Sequence, residues 1–326
     1  MELETATPGP PSKLNFVFYN DRGLRAGWRL FIFAVLLYTT FGLLGLLARL
    51  VRATAAGGAS VPADAPYASY LVPLLVGISD LVLFLIVLFV TWIMSRIERR
   101  SVGQYGLPLI GSAWSRFLTG YLLWGFLPLA LVLLVMRAFH LFYFGSLNLH
   151  GASILAWALA WAVVYLMVGF FEEYLFRGYA LHTLAEGIGF WPAAFILGIV
   201  FAYVHMGNGG ETRIGIIGVL LFAIFAATTL RRTGNLWLAV GAHTGWDWGE
   251  SFLFGVSNSG LPPSGRLLSS HSSQGPDWLT GGTVGPEGSI FTLILWAVMT
   301  VLFLILYKPL GPVSVIVTAE EEAIKP

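Results

Sequence analysis

Eight predominantly apolar stretches divide this chain, each near the length at which a helix crosses a lipid bilayer, about 20 residues. They run from Trp28 to Leu47, Leu71 to Met94, Phe117 to Met136, Leu155 to Leu181, Trp191 to His205, Ile214 to Leu230, Leu236 to Phe254 and Ile290 to Tyr307. In lipid every backbone N–H and C=O must be satisfied within the protein, so such stretches form helices or closed barrels. Their length and lack of period-two alternation select helices. The expected fold is therefore an all-α, polytopic membrane protein of about eight transmembrane helices. With 57% of residues apolar and only 11% charged, the chain lies outside the range of soluble domains. A net charge of +1 without a basic run argues against a nucleic-acid partner. The absence of cysteine leaves Glu, Asp, His and Ser/Thr as the catalytic groups on offer.

The spans divide the chain into a cytoplasmic N-terminal tail (1–26), three N-terminal helices (27–150), a core carrying the polar motifs (151–260), and a long loop with the last helix and a cytoplasmic tail (261–326). Lys13, Arg22, Arg25, Arg29, Arg96, Arg99, Arg100, Arg231, Arg232, Lys308 and Lys325 all fall on one side of an eight-span arrangement. Basic residues favour the cytoplasmic side, which predicts a multi-pass protein of the cell membrane with both termini cytoplasmic. Arg49 and Arg52 dissent. Two long connections, 53–68 and 257–289, are rich in small residues and proline and read as flexible extracytoplasmic loops.

Ionised side chains inside a span need a partner or a task. The run Phe170-Phe171-Glu172-Glu173-Tyr174-Leu175-Phe176-Arg177-Gly178 places two acids and a base at the end of an apolar stretch. Glu173 and Arg177, four apart, share a helix face, while Glu172 points about 100° away. One carboxylate is thereby paired and its neighbour is free to act as a general base. His205 ends the fifth span, and His243, Asp247 and Glu250 form one stripe of the seventh. Water held between carboxylate and imidazole, with a second imidazole and an acid to stabilise an oxyanion, is one use of this set. A second is a divalent metal such as Zn²⁺ on His205, His243 and Glu172, with the other acid as base. The residues alone leave both open.

Glu172-Glu173-x-x-Phe176-Arg177-Gly178, then Phe201-x-x-x-His205, then His243-x-x-x-Asp247 resembles the three-motif signature of the CAAX prenyl protease and bacteriocin-processing family of intramembrane metalloproteases. Gly234-Asn235-Leu236-Trp237 and the continuation from Phe252 to Gly260 are similar as well. The resemblance implies eight helices around a conical cavity, lined by the fourth, fifth and seventh and open to the cytoplasm and lipid. It implies an endopeptidase acting on a membrane-presented or lipidated peptide, with water activated by Glu172 and His205, support from Glu173 and Arg177, and an oxyanion site at His243 and Asp247. One position departs: the prenyl proteases commonly have Asn where this chain has Asp247, and Asp donates a hydrogen bond only when protonated.

The motifs also set a requirement on depth. If the fourth helix enters near Ala152, Glu172 lies about 30 Å further on, far from His205. The two meet only if that helix enters near Trp161 and continues through Arg177 to about Leu184. Outside the motifs, Asp80 reads as a hydrogen-bonding residue between helices, His140, His150 and His182 as solvated or interfacial, and His271, Asp277 and Glu287 as loop residues. Trp246 and Trp248 flank the site. A proton- or divalent-ion-coupled transporter, or a catalytically silent scaffold, would use similar residue types, although the paired repeats common in transporters are missing.

Overall fold

The computed structural model describes residues 17–20, 23–55, 68–260 and 264–309. Most of the N-terminal tail and of the 53–68 connection, and the C-terminal tail from 310, lie outside them. The described chain is an all-α membrane bundle: α1 (Ala26–Ala55), α2 (Ala68–Glu98), α3 (Ala113–Thr119, a π-helical stretch Gly120–Phe126, then Leu127–Ala138), α4 (Ala152–Arg177), α5 (Tyr179–Ile188), α6 (Phe190–His205), α7 (Arg213–Thr233), α8 (Trp237–Trp248, prolonged by π-helical Gly249–Phe254) and α9 (Ile290–Leu306). Among them Ala26–Leu50, Pro73–Glu98, Ala113–Ala138, Ala152–Ile188 and Arg213–Thr233 are long and apolar enough to cross a membrane, and Phe190–His205 and Ile290–Leu306 are shorter apolar helices. Each of the eight expected spans has its helix. Among the described residues, sheet is confined to two small antiparallel pairs, β1 (Tyr19–Asn20) with β2 (Gly23–Leu24) and β3 (Phe142–Tyr143) with β4 (His271–Ser272).

Helix α8 is the central pillar, with every residue from Leu238 to Asp247 buried. It approaches α3 backbone to backbone through four glycines. A Cβ on Gly120 or Gly125 would lie 2.1 Å from the carbonyl oxygen of Leu238 or Ala242, and one on Gly241 or Gly245 would lie 2.1 or 2.2 Å from that of Phe117 or Tyr121. Gly241 and Gly245 are one α-turn apart, whereas Gly120 and Gly125 are five residues apart. The π-helical winding of that stretch brings those two onto one face, so the seam depends on the irregular turn. Large apolar side chains such as Phe31, Leu85, Leu122 and Ile305 point outward from the peripheral helices, as a lipid-facing surface requires.

The ends of the bundle differ in character. At one end Arg29 Nη1 donates to Glu98 Oε2 (2.7 Å) and its Nη2 to Glu186, Arg100 also pairs with Glu186, and Tyr179 donates to Glu98, which clasps α1, α2 and α5 together. Arg232 Nη1 reaches the Tyr307 carbonyl there (2.7 Å) and Arg116 that of Thr233 (2.8 Å). The opposite end is capped by the segment after α8. Read from its Gly, Ser and Pro content as a flexible loop, the 257–289 connection is instead packed over its described residues. Ser270, Thr280, Val284 and Ser289 are buried, Trp161 Nε1 donates to the Ser264 carbonyl (2.8 Å), and Gly285 closes on the Ser257 carbonyl. The small residues that suggested mobility allow this close backbone approach.

The depth requirement is met by a different route from the one expected. Helix α4 does begin at Ala152, and its first turns lie under the cap, where Gly265 sits on the Trp157 ring. It is unbroken through Arg177, breaks at Gly178, and continues as α5 to Ile188, so the fourth span is longer than expected and interrupted. The chain reverses at Gly189 (φ 87°) into α6. Glu172 and His205 thus stand at comparable chain distances from the reversal, and their side chains meet at 4.0 Å.

Candidate active site

All six residues singled out by the motifs come together. Glu173 is fully buried, and its Oε1 accepts from Arg177 Nη1 (3.3 Å) and His243 Nδ1 (3.0 Å). The Arg177 guanidinium lies 4.4 Å from the Phe201 ring centre, so the ring face covers what the carboxylate leaves open. Pairing is what makes two charges tolerable at this depth.

Glu172 faces the other way, as its position on the helix requires. Its Oε2 is 4.0 Å from His205 Nε2 and 3.7 Å from His243 Nε2, and this buried oxygen receives no hydrogen bond from the described residues. The tautomers follow from the opposite ring nitrogens. His205 Nδ1 lies 2.9 Å from the Phe201 carbonyl oxygen, which only accepts, and His243 Nδ1 meets the Glu173 carboxylate. Both Nδ1 atoms therefore carry hydrogen, and in the neutral rings both Nε2 atoms are acceptors. Three acceptors converge with no hydrogen between them. Such a trio is stable only around a donor or a cation: a water, a proton or a metal ion.

Asp247 Oδ2 is 3.5 Å from His243 Nε2, one turn away on α8, and Oδ1 accepts from Asn258 Nδ2 (3.1 Å). Asn258 also donates to Glu250 Oε2 (3.2 Å), and Glu287, held by Trp246 Nε1 (3.2 Å) and by the backbone N–H (2.8 Å) and hydroxyl (3.0 Å) of Ser259, completes a trio of carboxylates. Ligand atoms of Asp247, Glu250 and Glu287 lie within 4.8 Å of one another. Sequence reasoning assigned Glu287 to a flexible loop and gave Asn258 no part.

Glu172, His205, His243 and Asp247 border a cavity of about 860 Å³, whereas Glu173, Arg177 and Glu250 lie behind its wall. Its wall includes the expected fourth, fifth and seventh spans (α4, α6 and α8), and also Asp80 on α2, Phe222 on α7, Trp296 on α9, and Asn258, Ser264 and Glu287 of the cap. Asp80 was expected to bond a neighbouring helix; instead it faces the cavity. The cavity lies toward the capped end, away from the basic end.

Residues 154–249, which hold all six motif residues, match the family model of type II CAAX prenyl endopeptidases, Rce1-like. Neither the curated proteins nor the solved structures contain a match to the chain.

Proposed function

We propose that this chain is a glutamate-dependent intramembrane endopeptidase that hydrolyses a peptide bond of a membrane-presented substrate, a reading supported by the match of residues 154–249 to the Rce1-like type II CAAX prenyl endopeptidase model. The observation that carries the reading is the unpartnered Glu172 Oε2 between two imidazole Nε2 atoms at 4.0 and 3.7 Å. A water there donates one hydrogen to Glu172 and the other to His205. As it attacks the peptide carbonyl carbon its proton passes to Glu172, which returns it to the departing amine. His243, protonated at Nε2 and braced by Glu173 at Nδ1, faces the developing oxyanion. Asp247, accepting from Asn258, steadies that imidazolium and takes over no proton.

A divalent metal on His205, His243 and Glu172 is the second reading of these side chains, although among the described carboxylates and imidazoles the group whose ligand atoms all lie within 4.8 Å of one another is Asp247, Glu250 and Glu287. His205 and His243 each direct the second ring nitrogen to an acceptor, the arrangement that orients metal-binding imidazoles, and Glu172 supplies an anionic oxygen. When bound, the ion would acidify water and polarise the carbonyl.

Hydrolysis of membrane-spanning peptides by the full chain in proteoliposomes, with products identified by mass, tests the reading. His205→Gln is expected to slow cleavage by about 10²-fold. Failure of the wild type to cut any such peptide, or cutting indifferent to His205→Gln, rules the reading out. Loss of activity on chelation with return on adding Zn²⁺ would select the metal form.

The basic end carries Arg29, Arg100, Arg116 and Arg232, and the positive-inside rule makes it cytoplasmic. The cavity then faces the far side of the membrane. Since the chain contains no cysteine, single introduced thiols report this directly. Gly209→Cys, at an exposed position beside the cavity, is expected to react with an impermeant maleimide on sealed cells, and Ser101→Cys only after lysis; the reverse pattern inverts the orientation.

A further inference from the structure

Asp80 is an acid on a spanning helix that the proposed chemistry does not use. Gly77, one turn earlier, lets α2 close on Val164 of α4, where a Cβ would meet Val164 Cγ2 at 3.3 Å. Val76 and Asp80, four apart on one face, are thereby presented to the cavity. No described side chain hydrogen-bonds the Asp80 carboxylate or forms an ion pair with it, and the charge near enough to act on it is that of Glu172, of the same sign. The rest of the wall gives no relief. Its charged residues are Asp80, Glu172, Asp247 and Glu287, with no Lys or Arg among them, so acids outnumber cations even with both histidines protonated. An unpaired carboxylate at membrane depth is costly, and in a wet cavity its natural complement is a cation that arrives with the ligand. Trp161 and Tyr165, stacked at 5.3 Å on α4, line the same cavity and supply aromatic surface to its wall.

We propose that Asp80 is the specificity residue of this cavity and pairs with a basic side chain, Lys or Arg, of a membrane-inserted peptide. The proposal rests on the peptidase reading and names its substrate class. A basic residue in a transmembrane peptide is itself expensive in lipid, so the pairing relieves both partners.

The test uses the full chain in proteoliposomes and membrane-spanning peptides that differ only in carrying Lys, norleucine or Glu at one position scanned around the scissile bond. Wild type is expected to favour Lys over norleucine by about tenfold in kcat/KM, the scale of one charge-assisted hydrogen bond. In Asp80→Asn that ratio falls to about one, and Asp80→Lys shifts preference toward the Glu peptide. Equal use of Lys and norleucine by the wild type, or an unchanged ratio in Asp80→Asn, overturns the proposal. Binding of the same peptides to the Glu172→Gln protein gives a readout free of turnover: tighter binding of the Lys peptide that is lost in Asp80→Asn/Glu172→Gln supports the assignment, and equal binding of all three refutes it. Charge-selective binding with no cleavage by the wild type keeps Asp80 in its role and removes the peptidase reading alone.

Discussion

Glu172→Gln is expected to cut the rate of peptide hydrolysis by about 10³-fold while the protein stays folded, the scale of losing a positioned general base. Glutamine keeps the shape of the side chain and loses the basic oxygen. Its amide group can donate to His205 Nε2 and its carbonyl oxygen can accept from the protonated His243 Nε2, so the thermal midpoint in detergent should hold. Activity and stability therefore move apart. A Glu172→Gln protein cutting within a few fold of wild type would falsify the assignment of the base, whatever its effect on folding.

Arg177→Met is expected to act the opposite way, with stability lost first. Removing the guanidinium leaves the Glu173 carboxylate, fully buried, with His243 as its hydrogen-bonding partner. Breaking a buried pair from one side costs about 3–5 kcal/mol, whereas replacing both partners by neutral groups is often close to neutral. The double variant Glu173→Gln/Arg177→Met should therefore recover most of the stability. It should not recover the activity, because His243 Nδ1 loses the carboxylate that fixes its tautomer and stabilises its charged form. Thermal midpoints of the two variants, with peptide hydrolysis measured in parallel, check this; equal destabilisation by the single and double variants would place the Arg177 contribution elsewhere, for example in its contact with Phe201.

The helices and the motif residues were legible because both are local signals. Apolar length marks a span, and the four-residue steps Glu173/Arg177 and His243/Asp247 mark a shared face, whatever the rest of the chain does. Asn258, Glu287 and the site-facing role of Asp80 were not legible. Glu287 sits in a segment of Gly, Ser and Pro with no periodicity, and its place beside Asp247 depends on tertiary features: Trp246 and Ser259 as donors, and a cap whose glycines admit close backbone contact. Asp80 carries no sign in the sequence of which neighbour it faces; that is decided by the approach of α2 to α4 at Gly77. The continuation of the fourth span past Arg177 was legible from the spacing of Glu172 and His205, whereas the packing of the cap over Trp157 and Trp161 was not. The same cap places the cavity at the end opposite the arginines, a relation that no single stretch of sequence contains.

The two nearly equal arms that meet at Gly189 work as a ruler. One residue inserted between Glu172 and Arg177 in α4, or between Phe190 and His205 in α6, would swing one catalytic group about 100° around its axis and shift it by about 1.5 Å. Length drift in surface connections would leave the water pocket intact, whereas a single-codon insertion or deletion in either arm would dismantle it without altering any of its residues.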